Sequence, residues 1–444
     1  MAISEHVWLR PGDPGYGKAR MGYNAAHQTS PALIAPVRSA DDVREALSYA
    51  RSTGLTVCVR GGGHSIAGFG GVDGGVIIDV RTMSAIEPVE QSGQFWVGGG
   101  ALAGNVSKQL GQQGLAVPLG DSGGVGIGGL TLGGGIGWLT RKFGLTLDSL
   151  VAAEIVTADG TVSVVNSSEQ PDLFWALRGG GGNFGVVTRF RFRPHRLGQV
   201  LGGEMLLPLT AKVLGSFLAE AAAAPNELGV IALAMRPPNR STDKAVLLLR
   251  LVWSGELSDG ASVLARLRAL ATPITENIRV RSYHDMYELT AGDPASITNA
   301  TESIFADALD DNAIATVVEA ADTPVETGTF SGIELRVLGG AMADVPAEAT
   351  AFAHRDRKLL ISAVRAGFPL EHYSKHREWV SGVRRLLHPV ETGRYLNFVE
   401  LPGLADVAGV YPGKTAERLA TVKRAVDPTN VFSRNLPILQ GVPS

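Results

Sequence analysis

The feature of this sequence that most limits its fold is the uneven distribution of glycine. Of the 56 glycines in 444 residues, 32 lie between Gly61 and Gly185. Glycine loses much backbone entropy on folding, so clusters indicate positive φ angles or a close approach of something to the backbone. A flexible linker would be rich in Ser, whereas these glycines alternate with Val, Ile, Leu and Trp. The clusters therefore predict backbone that wraps a ligand.

Composition excludes several classes of protein. The net charge is −3, so no basic face for nucleic acid is expected. The single cysteine, Cys58, cannot form an intrachain disulfide or a four-thiolate metal site. The first residues lack the apolar stretch typical of a signal peptide, and the sequence has no run of about 18 apolar residues. We expect a cytoplasmic protein of two or three domains, without nucleic-acid or membrane partners.

Local patterns predict a mixed α+β fold. A capping box begins at Ser39 and opens a helix that Gly54 ends, followed by a buried strand over 55–59. Beyond residue 197 glycine becomes rarer, and Ala-rich helical segments alternate with strands such as 245–253. This change of character predicts a second α+β domain.

Four short motifs match known sites without the context those sites need. Gly120–Gly124 matches the sequence around the catalytic serine of trypsin-like proteases, but those folds usually depend on disulfides. Gly124–Gly129 fits the dinucleotide pattern without a preceding strand, and Gly413–Thr415 is better explained as a helix start. His372 and His376 are one helical turn apart. A solvated helix surface is the favoured interpretation, and no metal site is predicted.

Three glycine-rich segments remain, and they are longer than any of these motifs. Val57–Ser65 brings three glycines and His64 to the end of a strand, with Gly68 after it. Gly126–Trp138 and Gly179–Gly185 repeat the arrangement with apolar residues between the glycines. Backbone N–H groups suit a pyrophosphate and the apolar residues suit rings. A flavin dinucleotide fits this description.

At this point the sequence resembles the berberine-bridge-enzyme-like oxidases of the vanillyl-alcohol-oxidase/p-cresol-methylhydroxylase (PCMH) flavoproteins. The resemblance rests on Pro36–Val43, Arg60–Ser65, Gly129–Trp138, Asp172–Gly179, Gly182–Thr188, Tyr395–Phe398 and Lys423–Phe432. It implies a PCMH-type FAD-binding domain of two subdomains over residues 1–196. It also implies a substrate domain over 197–393, with an antiparallel sheet flanked by helices, and a segment over 394–444 that returns to the FAD domain.

By the same resemblance, His64 carries FAD covalently through the 8α methyl group. Doubly linked members add a cysteine thioether at the position of Ser122, whose oxygen is not expected to form that bond. Cys58 lies in another strand, so a single link is predicted. The cofactor-binding residues implied are Arg60, Gly61, Gly62, Gly63, His64, Ser65, Gly68, Leu119, Gly120, Ser122, Gly124, Val125, Gly126, Gly129, Gly134, Gly135, Gly137, Trp138, Asn183, Gly185, Val187, Tyr395 and Asn397.

Two residues are candidates for catalysis. The resemblance places Tyr395 and Asn397 near the flavin, where Tyr395 either orients substrate, acts as base if a positive charge lowers its pKa, or only packs against the ring. Glu334 and Arg336 share one face of the strand predicted over 331–337. If that face looks at the flavin, Glu334 is a candidate base; if it looks outward, both are solvated.

The sequence thus predicts an FAD-dependent oxidoreductase that oxidises an alcohol, an amine or a natural-product intermediate by hydride transfer. Dioxygen is the expected acceptor, and a monomer or homodimer is expected. Two alternatives stay open: a flavin-holding cyclase or isomerase without net oxidation, and a non-catalytic flavin-binding protein. Release of peroxide and bleaching of the flavin by substrate would distinguish them.

Overall fold

The computed structural model describes residues 8–237, 244–290, 296–400 and 403–439. The strands are, in chain order, β1 (Leu33–Pro36), β2 (Val57–Arg60), β3 (Val76–Asp79), β4 (Ile86–Val89), β5 (Gln94–Gly98), β6 (Leu115–Ala116), β7 (Leu150–Val156), β8 (Val162–Asn166), β9 (Val186–Phe192), β10 (His195–Arg196), β11 (Val200–Pro208), β12 (Leu228–Met235), β13 (Val246–Trp253), β14 (Thr275–Arg281), β15 (Asn299–Ala306), β16 (Phe330–Val337) and β17 (Leu359–Ala366).

The helices are, in chain order, α1 (Tyr16–Ala19), α2 (Ala40–Thr53), α3 (Ala103–Gly111), α4 (Ile127–Gly133), α5 (Thr140–Phe143), α6 (Pro171–Leu177), α7 (Ala211–Ala223), α8 (Leu257–Arg268), α9 (Asp311–Asp322), α10 (Tyr373–Leu387), α11 (Leu404–Val410) and α12 (Lys414–Val426). Within the described ranges, no helix combines the length and apolar character that crossing a membrane requires.

The N-terminal half contains two main sheets. Three parallel strands form the first, in the order β1-β3-β2, and five antiparallel strands form the second, in the order β4-β5-β9-β7-β8. Helix α2 covers the first sheet and starts as predicted, with the Ser39 hydroxyl accepting from the Asp42 N–H. Gly54 ends the helix at φ +69°. Cys58 is buried in β2, as expected from its apolar neighbours.

The second half is built on a seven-stranded antiparallel sheet, in the order β14-β11-β13-β12-β16-β17-β15. Helices α7, α8, α9 and α10 pack on one face of this sheet, where Leu247, Leu249 and Leu335 are fully buried. The opposite face presents Ile231, Leu233 and Leu248 to the core of the N-terminal half. The predicted α+β fold is therefore confirmed, and the sheet forms a roof over the N-terminal half.

The C-terminal segment packs back onto the N-terminal half. Lys423 of α12 is buried and donates to the Asn183 carbonyl at 2.7 Å, and it pairs with buried Asp427 at 2.6 Å. Helix α12 begins at Lys414, which confirms the helix-start interpretation of the Gly413–Thr415 motif. These contacts fasten the end of the chain beside the glycine-rich Gly179–Gly185 segment.

Candidate active site

A cavity of about 370 Å³ lies between the N-terminal half and the roof sheet. Its walls include twelve glycines, most of them in the three clusters predicted from the sequence. Sixteen of the predicted cofactor-binding residues line it: Arg60, Gly61, Gly62, Gly63, His64, Ser65, Gly120, Ser122, Val125, Gly126, Gly129, Asn183, Gly185, Val187, Tyr395 and Asn397. The fold thus brings together segments that are more than 300 residues apart in the chain.

Several of the other predicted residues support this wall without contacting the cavity. A Cβ on Gly137 would meet the Leu119 carbonyl at 2.0 Å, so these two segments pack backbone to backbone. Gly134 and Gly135 have positive φ angles and pack against Tyr395 and Thr146. The predicted residues that do not contact the cavity are Gly68, Leu119, Gly124, Gly134, Gly135, Gly137, Trp138 and the candidate base Glu334.

The glycines of the wall permit close crossings of the backbone. A Cβ on Gly62 would lie 2.3 Å from the Gly126 nitrogen, and one on Gly126 would lie 2.2 Å from the Gly62 nitrogen. These two loops can therefore meet only where neither residue has a side chain. Gly129, by contrast, has nothing within 4 Å of its Cβ position, because that position faces the cavity. One set of glycines shapes the wall and another leaves room for a ligand.

His64 lies in the cavity wall, near the start of the loop that follows β2. Its ring stacks on Tyr23, with centroids 4.4 Å apart and planes inclined by 19°. A Cβ on Gly124 would come within 3.3 Å of its Nε2, so Gly124 supports the ring from behind. Burial lowers the pKa of His64, which favours the neutral imidazole at neutral pH.

Arg60 shapes this loop through hydrogen bonds to backbone. Its guanidinium donates to the carbonyls of Gly70 at 2.8 Å and Arg20 at 3.1 Å, and also to that of Ala19. Burial lowers the pKa of Arg60, but an arginine remains cationic at this shift. Its donors are thus directed to the protein backbone, and its main contribution is to fix the loop that presents His64.

A cluster of charges joins the loop at residue 121 to the roof. Arg336 of β16 donates to both carboxylate oxygens of Asp121, at 2.9 and 3.1 Å, and its Nε donates to Glu334 at 2.7 Å. Burial tends to lower the pKa of Arg336, but the two carboxylates outweigh it and the pKa is raised. Burial raises the pKa of Glu334, while Arg336 opposes that rise. Two carboxylates share one guanidinium, which itself contacts the cavity.

Tyr395 is buried, and its hydroxyl group is held by two hydrogen bonds. Its hydroxyl oxygen accepts from the Gly135 N–H and from the Asn397 side chain, both at 3.1 Å. Burial raises the pKa of Tyr395, although both hydrogen bonds and the charge of Arg336 oppose this. The condition under which it would act as a base, a lowered pKa, is not met.

Tyr23 and Asp121 are among the residues of the site that the sequence did not reveal. Tyr23 gave no local signal, since its ring meets His64 only in the folded chain. Asp121 lies inside the protease-like motif Gly120–Gly124, whose poor context for a protease hides the acidic residue within it. An acidic residue within a glycine-rich, otherwise uncharged segment was the available signal, because such a charge needs a partner when buried.

Comparisons with known proteins agree with this geometry. Residues 31–166 match the family described as FAD binding domain, and residues 395–439 match the family described as berberine and berberine like. The chain is 30% identical over 442 residues to (R)-6-hydroxynicotine oxidase of Paenarthrobacter nicotinovorans, covering 97% of this chain and 96% of that one. It is 27% identical over 451 residues to glucooligosaccharide oxidase of Sarocladium strictum, covering 94% and 89%.

Solved structures give the same result. The crystal structure of 6-hydroxy-D-nicotine oxidase from Arthrobacter nicotinovorans superposes with a TM-score of 0.88 at 28% identity, covering 98% of both chains. Wild-type BBE-like 1 of Physcomitrella patens gives a TM-score of 0.86 at 25% identity, covering 99% of this chain and 97% of that one. The protein is therefore a member of the berberine-bridge-enzyme-like family of PCMH-type, FAD-linked oxidases.

Proposed function

We propose that this enzyme carries FAD on His64 through one covalent bond and oxidises a small or medium organic molecule, with dioxygen as acceptor. The substrate classes are an alcohol, an amine or a natural-product intermediate. The observation that carries the proposal is the meeting, in one cavity, of glycine-lined backbone, His64 and the ion pair between Asp121 and Arg336 of the roof sheet. When bound, FAD supplies the chemistry by accepting a hydride from a substrate carbon.

The donor set of the cavity fits a flavin dinucleotide. The backbone of Gly61–Gly63 and of the Gly181–Gly185 segment offers N–H groups suited to a pyrophosphate, and Val125, Leu130 and Leu132 offer apolar surface for rings. We propose that residues 1–196 and 394–444 hold the cofactor, while 197–393 supply the roof over it. The open Cβ position of Gly129 marks space that the cofactor would take.

The attachment proposal rests on the state of His64 and on the chemistry of position 122. A neutral imidazole has a lone pair, and Tyr23 fixes the plane of its ring. Ser122 contacts the same cavity but has no thiol, and Cys58 is buried in β2. We therefore propose a single covalent bond.

For the substrate side, we propose Glu334 as the base and Tyr395 as an orienting donor. Burial moves the pKa of Glu334 upward, in the direction that suits a general base at neutral pH. The raised pKa of Tyr395 keeps its phenol protonated, so it positions a substrate oxygen or nitrogen. Glu334 does not line the cavity itself, so its proton transfer would pass through one bridging water beside Arg336.

The linkage is tested by acid precipitation of the untagged protein, followed by absorption spectra of the pellet and supernatant. Wild type should keep its flavin in the pellet, and His64→Ala should release it to the supernatant. His195→Ala is a matched control, because His195 is also partly buried and lies outside the cavity. Acid-stable flavin in His64→Ala would refute the proposed attachment site.

The activity is tested by anaerobic mixing with panels of alcohols and amines, monitoring loss of flavin absorbance, then admitting air and measuring peroxide. Bleaching followed by about one peroxide per substrate supports an oxidase. Turnover without bleaching or peroxide would replace it with a non-oxidative cyclase or isomerase. Glu334→Gln should slow bleaching by about 10²-fold or more with flavin content unchanged, and an unaltered rate would exclude Glu334 as the base.

A further inference from the structure

We propose that Glu326, His372 and His376 form a binding site for a divalent transition metal of the zinc class, remote from the active site. His372 caps the start of α10, and His376 lies one turn into that helix. Glu326 comes from the loop between α9 and β16. Within the described part of the chain, one potential ligand atom from each residue lies within 4.8 Å of the other two.

The candidate ligand atoms face one another, and in the described ranges one atom of each residue has no hydrogen-bond partner. Nε2 of His376 is 3.4 Å from one Glu326 oxygen, and Nδ1 of His372 is 3.8 Å from the other. With bonds of about 2.0–2.1 Å, neighbouring ligands of tetrahedral zinc are on the order of 3.3 Å apart. Among the described residues, these two nitrogens and Oε2 of Glu326 are buried atoms with no hydrogen-bond partner.

The burial of His376 corrects the expectation of a solvated helix surface. Its side chain has no exposed area, and its ring packs on Phe368 with centroids 4.1 Å apart. A fully buried imidazole whose Nε2 points at a carboxylate without a hydrogen bond is an unsatisfied polar group, which folded proteins rarely retain. A metal ion bound to Nε2 would satisfy both the imidazole and the carboxylate.

Two neighbouring cations set the conditions for binding. Arg365 donates to Nδ1 of His376 at 3.3 Å, so in the metal-free ring the proton is on Nε2. When a metal binds Nε2, that proton moves to Nδ1, and Arg365 can no longer donate to this nitrogen. Arg365 retains its hydrogen bond to Ser331 and its cation–π contact with Trp379. Lys375 pairs with Glu326 Oε1 and competes with the metal for it. Water would complete the coordination, because three protein ligands leave one position open.

The consequence is a cross-link between two parts of the roof. The loop that carries Glu326 leads directly into β16, the strand of Glu334 and Arg336, and α10 packs on the outer face of the same sheet. Metal at this site would fasten the loop to the start of α10. Since the ligands lie outside the cavity, metal binding is expected to stabilise the fold independently of the flavin chemistry.

The test is a titration of the untagged, chelator-treated holoenzyme with Co²⁺, whose tetrahedral complexes absorb in the red, beyond the flavin bands. One equivalent should develop this absorption, Zn²⁺ should abolish it, and Zn²⁺ should raise the thermal unfolding temperature. His372→Ala and Glu326→Gln change partly exposed residues and should each weaken binding by more than about 100-fold. His376→Ala removes a buried ring and could prevent folding. In that case the variants His372→Ala and Glu326→Gln are sufficient for the test.

Two further variants make the prediction specific. Lys375→Gln should tighten binding by about two- to fivefold, because it removes the competing ammonium group. His388→Ala is the matched control: His388 also faces a glutamate beyond the other end of α10, at 3.3 Å, but it is 77% exposed. Absence of saturable Co²⁺ binding, or binding that survives both His372→Ala and Glu326→Gln, would overturn the proposal.

Discussion

The two kinds of glycine in the cavity wall predict opposite effects of alanine substitution on the stability of the flavin-free protein. Gly129 and Gly62 both line the cavity, but only Gly129 has free space at its Cβ position. In Gly129→Ala the added methyl group would point into the space proposed for FAD. In Gly62→Ala it would meet the backbone of Gly126 at 2.3 Å. The first change should affect the cofactor, and the second should affect the protein itself.

The expected magnitudes follow from these contacts. Gly129 lies inside α4, where alanine is favoured over glycine by about 1 kcal/mol. For a chain of this length that corresponds to a rise of roughly 1 °C in the unfolding temperature. Overpacking by one methyl costs about 1–3 kcal/mol, or about 5- to 150-fold in FAD affinity. For Gly62→Ala the crossing loops must separate by about 1 Å, at a cost of about 3 kcal/mol or more.

Both substitutions should be made in a His64→Ala background, from which the flavin can be removed and titrated back. Flavin-free Gly129→Ala should unfold at the same or a slightly higher temperature while binding FAD more weakly. Flavin-free Gly62→Ala should unfold several degrees lower. If Gly129→Ala bound FAD with unchanged affinity, the proposed position of the cofactor against α4 would be wrong.

Three further outcomes are expected. Asp121→Asn removes a negative charge beside Arg336 and should lower the pKa of Glu334. The acid limb of the pH profile for substrate-dependent bleaching should then move down by about one pH unit. An upward shift, or none, would contradict the proposed charge cluster. Lys423→Met leaves buried Asp427 without its cationic partner and should lower the free energy of unfolding, measured with denaturant, by about 3–5 kcal/mol. A loss below about 1 kcal/mol would show that the pair is dispensable. Burial lowers the pKa of His354 in the folded protein. The unfolded chain therefore binds more protons, and stability falls as the pH drops below about 6.5. His354→Gln should make the unfolding temperature less dependent on pH between about 5 and 7, and an unchanged dependence would exclude this histidine as a contributor.

Much of the architecture could be predicted because it depends on local patterns. The cap at Ser39, the stop at Gly54 and the alternation in β16 each express interactions within a few residues. The glycine clusters were equally informative, since backbone that crosses at 2.3 Å, as at Gly62 and Gly126, tolerates no side chain. The family resemblance added the expected order of the domains along the chain.

The predicted site residues fall into two groups: those that line the cavity and those that pack behind its wall. Residues on the loop after β2, such as His64, reach the cavity because the strand delivers them there. Trp138 and Leu119 have the same glycine-rich neighbours but pack into the core behind the wall. A sequence pattern gives the neighbourhood of a residue, whereas the direction of its side chain depends on packing against distant segments.

The sequence by itself determined that glycine-rich backbone and one loop histidine would line one cavity, and that a strand would carry Glu334 and Arg336 on one face. Only the tertiary structure decided that Asp121 pairs with Arg336, that Tyr23 stacks on His64, and that two helical histidines meet a glutamate from another loop. The physical reason is distance along the chain. Asp121 and Arg336 are 215 residues apart, and no local preference encodes a charge pair that forms only when the roof sheet closes over the loop.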